Sequence, residues 1–230
     1  MWDEKSEFSV EERTVTLYHA ECNNAPLIII NDDTEDGSGI IKAMKDIHCR
    51  DCNVAAISGI DWDHDLTPWY CPPLVSNGNP CTGGADEYLN LLLNKIIPKI
   101  CDNIQGEPEF TGLTGYSLGG LFSIYAMYRT DYFSRIASAS GSLWFPAFKE
   151  FAESNEVKRK PDRLYISLGD KEARSRNKML RLVQENTEAL VQYYKDLGIH
   201  TEYELNQGNH FKDAELRLAK GIAAISETLM

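Results

Sequence analysis

The sequence predicts an α/β fold, with a mostly parallel central sheet and helices on both faces. Three observations carry that expectation. The wholly apolar runs "PLIIIND" (26–32) and "NVAAISG" (53–59) read as buried strands of the parallel kind. Such runs alternate along the chain with helical segments of ten or more residues. The 230 residues contain no internal repeat, low-complexity tract or linker, so residues 1–230 read as a single domain with room for a substantial core.

Taken in order, "RTVTLYH" (13–19) alternates as a first strand, placed to join the sheet antiparallel through the turn "AECNNAP". "SGIIKAMKDI" (38–47) reads as a helix capped by Ser38. After the strand at 53–59 comes a long loop, "IDWDHDLTPWYCPPLVSNGNPCTGG" (60–84), whose length points to function and whose aromatics favour order. "ADEYLNLLLNKIIPKICDNI" (85–104) is helical, with Pro98 kinking it or ending its regular part. "FTGLTGY" (110–116) is a strand, "SLGGLFSIYAMYR" (117–129) a helix, and "FSRIASAS" (133–140) a strand. That strand leads into "GSLWFPAFKEF" (141–151), a loop or short helical segment. "DRLYISLG" (162–169) is a strand, and 176–197 is the clearest amphipathic helix. "HTEYELNQ" (200–207) alternates as the last strand before a closing helix over 213–229.

A formal charge of −12 argues against nucleic acid or an anionic membrane surface as the main partner. No apolar run approaches a membrane span. "MWDEKSEFSV" has neither the basic nor the apolar region of a secretory signal, so the expected location is the cytoplasm. Of six cysteines, Cys49 and Cys52 form a C-x-x-C beside His48, but no second ligand pair accompanies them. The pair also closes a helix rather than opening one, unlike a thioredoxin-type site. All six are therefore read as ordinary reduced thiols, with a Cys71–Cys81 bridge as the one local alternative.

The stretch "TGLTGYSLGG" sets Ser117 between Gly115 and Gly119, where a strand gives way to a helix. G-x-S-x-G arises by chance in roughly one chain in ten of this length, so its position matters more than its letters. At a strand-to-helix turn it is the nucleophile elbow of the α/β-hydrolase fold, with glycines clearing space around a strained serine. The helix that follows aims its free N–H groups at the reaction centre.

A serine needs a base, and in this fold the base lies after the last strand. Of five histidines only His210, in "NQGNHFKD", has that position; His64 reads instead as a pocket-wall or structural residue. The acid belongs after the penultimate strand, where "LGDKE" offers Glu172, the preferred candidate, and Asp170. The oxyanion donors fall to the backbone of Leu118 and, on the loop after "PLIIIN", of Asp32 or Asp33, with Asp32 taken first. Trp62, His64, Trp69 and Trp144 lie on segments reaching the C-terminal edge of the sheet, as pocket-wall candidates.

On these residues the chain resembles the putative-esterase family of α/β-hydrolases, which includes esterase D, enterochelin-type siderophore esterases and feruloyl esterases. The resemblance runs from "PLIIIND" through "GYSLGGLFSIYA", "SGSLWF", "YISLGDKE" and "GNHF", closest to the enterochelin-esterase-like branch. It implies a serine carboxylesterase acting on a small-molecule ester through an acyl-enzyme, without metal or organic cofactor, and puts the nucleophile on Ser117 and the base on His210. Siderophore trilactones and aryl (feruloyl-type) esters are the narrower alternatives, and a non-catalytic binding module on the same scaffold is the alternative of another class. The chain departs from its relatives in having Asn31-Asp32 where they often have Asp-Gly.

Overall fold

The computed structural model describes residues 1–31, 36–74 and 77–228. Its elements run β1 (Lys5–Val10), β2 (Arg13–Tyr18), β3 (Leu27–Asn31), α1 (Ser38–Asp46), β4 (Asn53–Ser58) and α2 (Trp62–Asp65). The short strands β5 (Tyr70–Cys71) and β6 (Cys81–Thr82) follow, then α3 (Ala85–Leu91), a π-helical turn (Leu92–Ile96) and α4 (Ile97–Cys101). The second half contains β7 (Thr111–Tyr116), α5 (Leu118–Arg129), β8 (Arg135–Ala139), α6 (Phe148–Ser154) and β9 (Arg163–Gly169). It closes with a 3-10 turn (Leu180–Leu182), α7 (Val183–Asp196), β10 (Thr201–Asn206) and α8 (Ala214–Ser226).

Eight strands form one sheet in the order β1-β2-β4-β3-β7-β8-β9-β10, parallel from β4 to β10. β3 is buried along its whole length because both its faces are covered. Leu27 and Ile29 enter the core under α3, α4 and α5, while Ile28 and Ile30 enter the core under α1 and α8. α5 is buried from Leu118 to Tyr128, the all-round burial expected of a helix with apolar residues on every side.

Three local expectations change. β2 pairs antiparallel with β1 and β4 rather than with β3, which takes parallel neighbours on both edges. A strand apolar on both faces claims the sheet centre, and β2, which carries Thr14 and Thr16 on one face, lies nearer the edge. The N-cap of α1 is Gly37 rather than Ser38, which is the first helical residue and donates its N–H to Asp36 Oδ1 at 3.0 Å. At Pro98 the helical run does not stop: regular α-helix ends at Leu91, and a π turn (Leu92–Ile96) carries the chain into α4. The wider π turn sits over Asn94, whose carbonyl the proline ring would otherwise strike.

The long loop is fixed at several points. Arg13 and Asp65 form a buried ion pair, and Trp69 donates its indole N–H to the Pro146 carbonyl at 2.9 Å. Cys71 stands directly opposite Cys81 across the β5–β6 ribbon, and all six cysteines are free thiols. Burial pushes the Cys49 thiol up to about 11 and the Cys81 thiol to about 12, which opposes thiolate chemistry at either. Among the described residues no group of three or more His, Cys, Asp or Glu side chains is placed to hold a metal ion, and no helix is long and apolar enough to cross a membrane.

Candidate active site

Ser117 joins β7 to α5 with φ 54° and ψ −118°, a conformation rarely adopted outside glycine. The turn brings Gly115 against Gly119: a Cβ on Gly115 would lie 2.6 Å from the Gly119 carbonyl oxygen and 2.7 Å from its Cα. A Cβ on Gly120 would meet Ser138 Oγ at 2.8 Å and Gly141 Cα at 2.9 Å. Gly119 has more room, with Asn31 O nearest at 3.2 Å. The Ser117 carbonyl accepts the Ser142 N–H at 2.9 Å, and the Ser117 N–H reaches Ala139 O at 3.3 Å. The strained residue is thus held from the neighbouring strand end.

His210 lies on the β10–α8 loop, and every carbonyl from Gln207 to His210 has a donor. Arg217 donates to Gln207 O (3.4 Å) and Asn209 O (3.0 Å), Lys171 N–H to Gly208 O (3.0 Å), and the Tyr116 hydroxyl to His210 O (2.7 Å). Asp170 accepts the Gly208 N–H at 2.7 Å, so this carboxylate fastens the loop backbone. Glu172 Oε2 lies 2.7 Å from His210 Nδ1, and His210 Nε2 lies 3.1 Å from Ser117 Oγ. A carboxylate only accepts, which puts the imidazole proton on Nδ1 and leaves Nε2 free to take the serine proton.

Glu172, 3% exposed, is fully partnered. Its Oε1 accepts the Gly169 N–H at 2.7 Å and the Arg217 guanidinium at 2.9 Å. Burial pushes this carboxyl up, but the hydrogen bond and charge of His210, followed by the Gly169 N–H and the Ser140 hydroxyl, outweigh it and hold the carboxyl below its ordinary value. Arg217 itself is 1% exposed and also donates to Ser140 Oγ at 2.9 Å.

Two cavities meet at Ser117 and His210. One, of about 340 Å³, opens between α1 and α8 and includes Trp62, Tyr116 and Phe211 in its wall. The other, of about 210 Å³, is bounded by Leu74, Trp144, Leu180 and Val183. Phe211, 87% exposed, borders both. Trp62 and Trp144 therefore face the reaction centre from opposite cavities. His64 and Trp69 line neither. The His64 ring packs on Gly84 and its Nδ1 meets Thr82 Oγ1 at 2.6 Å, closing the base of the long loop. Trp69 stacks edge-on against Phe145 and Phe151.

Leu118 is the first residue of α5, so its N–H has no acceptor within the helix. Asp32 and Asp33 lie outside the described residues. Arg217, Ser142, Tyr116 and Phe211 join the site without having been expected from the sequence. The Ser142 hydroxyl lies 3.3 Å from Ser117 Oγ. A signal for Arg217 did exist: it occupies the stripe of α8 formed with Leu218, Gly221, Ile222 and Ile225, a buried helical position filled by a cation.

The family model described as Putative esterase matches residues 11–219. The chain belongs to the Putative esterase family. Among sequence relatives, the uncharacterized protein YbbA of Bacillus subtilis (strain 168) is 31% identical over 137 residues, covering 58% of this chain and 55% of YbbA. A siderophore enterobactin esterase of Emericella nidulans is 34% identical over 91 residues, covering 36% of this chain and 30% of that protein. These matches span about half of YbbA and under a third of the enterobactin esterase. Among solved structures, the siderophore hydrolase EstA from Aspergillus nidulans superposes with a TM-score of 0.77 at 20% identity, over 97% of this chain and 93% of EstA. This family member thus has the fold of the α/β-hydrolase-type esterases, with a mostly parallel eight-stranded sheet between helices.

Proposed function

We propose that this protein hydrolyses carboxylic esters through a covalent acyl-enzyme on Ser117. The observation that carries the reading is the hydrogen-bonded chain from Ser117 Oγ to His210 Nε2 (3.1 Å) and from His210 Nδ1 to Glu172 (2.7 Å). It is supported by membership of the Putative esterase family. His210 takes the hydroxyl proton as Ser117 Oγ attacks the ester carbonyl carbon, and Glu172 stabilises the imidazolium formed. The oxyanion is held by the Leu118 N–H, at the start of α5, and by the backbone of Asp32, assigned from its chain position alone. The intermediate collapses by breaking the C–O bond to the alcohol, which leaves with the proton from His210. A water then gives a proton to His210 and attacks the acyl carbon; the bond from that carbon to Ser117 Oγ breaks, His210 returns the proton to Oγ, and the acid is released.

Siderophore lactones are one substrate class within this reaction, supported by the 34% identity to a siderophore enterobactin esterase. A cytoplasmic site of action fits the six free thiols. Short p-nitrophenyl esters test the reading: hydrolysis is expected to fall at least about a thousandfold in Ser117→Ala. A fluorophosphonate probe should label the native chain and not this variant. Undiminished hydrolysis in Ser117→Ala removes the assignment, and absence of both turnover and labelling in the native chain leaves a binding module on a hydrolase scaffold.

A further inference from the structure

The larger cavity has a chemical character that ester hydrolysis does not require. Among the described residues its wall combines three aromatic rings, Trp62, Tyr116 and Phe211, with one carboxylate, Glu215. Glu215 is exposed, and among the described residues it has neither a cation nor a hydrogen-bond donor as partner. It stands in the first turn of α8 and packs beside the first turn of α1, where helix dipoles favour negative charge. Gly39 makes that placement possible, since a Cβ there would lie 2.5 Å from Glu215 Cδ. Glycine at the second position of α1 costs the helix about 1 kcal/mol relative to alanine, and the space it leaves is occupied by a carboxylate bordering the cavity.

Among the described residues no lysine or arginine pairs with this charge. Neither cavity is lined by a lysine or arginine among the described residues. Arg217 is buried on Glu172, Lys5 is paired with Asp36, and Lys220 binds Glu204 and Asn206. The Lys212 side chain lies over Gly208. An anionic group entering here would lose hydration without meeting a lysine or arginine, whereas a cation would meet Glu215 in a cavity walled by aromatic rings. The net charge of −12 biases approach in the same direction. A volume of about 340 Å³ admits a compact group, roughly ten water volumes.

We infer that this cavity is a cation subsite, so that the preferred ester carries an ammonium group, protonated or quaternary, in the part that lies between α1 and α8. Glu215 supplies the charge, and Trp62, Tyr116 and Phe211 supply the aromatic wall. The inference rests on the ester-hydrolase reading for turnover but not for binding.

Two matched sets of esters test it, one for each side of the scissile bond. On the alcohol side these are a choline ester, its neutral neohexyl isostere and a carboxylate-bearing counterpart. On the acyl side they are aryl esters ending in trimethylammonio, tert-butyl or carboxylate. On one of the two sides, kcat/KM is expected to favour the cation over its neutral isostere by about tenfold and to place the anion below both. Glu215→Gln should bring the cation-to-neutral ratio close to one, and added salt should lower it in the native enzyme. Equal rates for the isosteres on both sides, or a preference that survives in Glu215→Gln, overturn the subsite. Calorimetry with phenyltrimethylammonium reads the subsite without turnover, with binding to the native chain weakened about tenfold in Glu215→Gln. Ester hydrolysis without this binding overturns the cation subsite alone; binding without hydrolysis overturns the hydrolase reading alone.

Discussion

Arg217 Nη1 lies 2.9 Å from Glu172 Oε1, and the same guanidinium holds the carbonyls of Gln207 and Asn209 on the loop that carries His210. One buried cation from α8 thereby sets both the acid and the backbone of the base. It touches neither Ser117 nor the cavities and is a positioning residue.

Arg217→Met leaves the Glu172 charge short of a buried partner, at a cost of about 3 kcal/mol in folding stability. Because the loop carbonyls also lose their donors, kcat is expected to fall about a hundredfold. The acidic limb of the kcat profile should move to higher pH, since a cation facing Glu172 favours its ionised form. Arg217→Lys keeps the charge without the fork and should restore the position of that limb more fully than kcat. Denaturant titration with pH–rate profiles checks this, and a stability loss with an unmoved limb would reduce Arg217 to packing.

Glu172 gives a pH signature of its own. Its carboxyl is held below the ordinary 4.5, so the folded state binds this proton less readily than the unfolded chain does. Its stabilisation is therefore complete above about 4.5 and is lost as pH falls through the lower folded value. Urea unfolding of the native chain and of Glu172→Gln should show a stability gap that narrows as pH falls below about 4.5. A gap that widens on acidification would mean the carboxyl is held above its ordinary value.

The two glycines flanking Ser117 are not equivalent. Gly115→Ala drives a methyl into the Gly119 backbone and is expected to cost about 2 kcal/mol or more, because neither chain segment can retreat. Gly119→Ala meets Asn31 O at 3.2 Å as its nearest neighbour, then Asn31 Cβ and Trp62 Cη2 at 3.6 Å, and should cost distinctly less. Thermal denaturation of both variants reads the difference, and equal losses would contradict the elbow packing.

What the sequence made legible follows from which forces act locally. β3 and β4 could be read because burial on both faces leaves an unbroken apolar run. Ser117, His210 and Glu172 could be placed because chain order in this topology constrains them. β1 could not be read: "KSEFSV" is an edge strand with an exposed face, and only Phe8 and Val10 pack on the core. The helix expected from 176 starts at 180 as a 3-10 turn, because Asn177 Oδ1 accepts the Met179 N–H at 2.9 Å and offers the backbone a turn instead. Asn177 also donates to Leu74 O at 2.8 Å, a tie across 103 positions that no local pattern announces. Arg217 is the same case in the site, a long-range polar anchor set in an apolar stripe.

Trp62 and Trp69 look alike in the sequence, two tryptophans on one loop, yet the structure gives them different work. Trp69 donates to Pro146 O and packs on Phe145, Phe148 and Phe151, tying the long loop to α6. Trp69→Ala should cost about 3 kcal/mol in stability. Trp62 instead borders the larger cavity beside Ser117. Trp62→Ala, which also loses packing on the core, should lower the melting temperature less than Trp69→Ala while raising KM for esters that reach toward α1 and α8. Thermal melts paired with steady-state kinetics separate the two, and a KM effect confined to Trp69→Ala would reverse their roles.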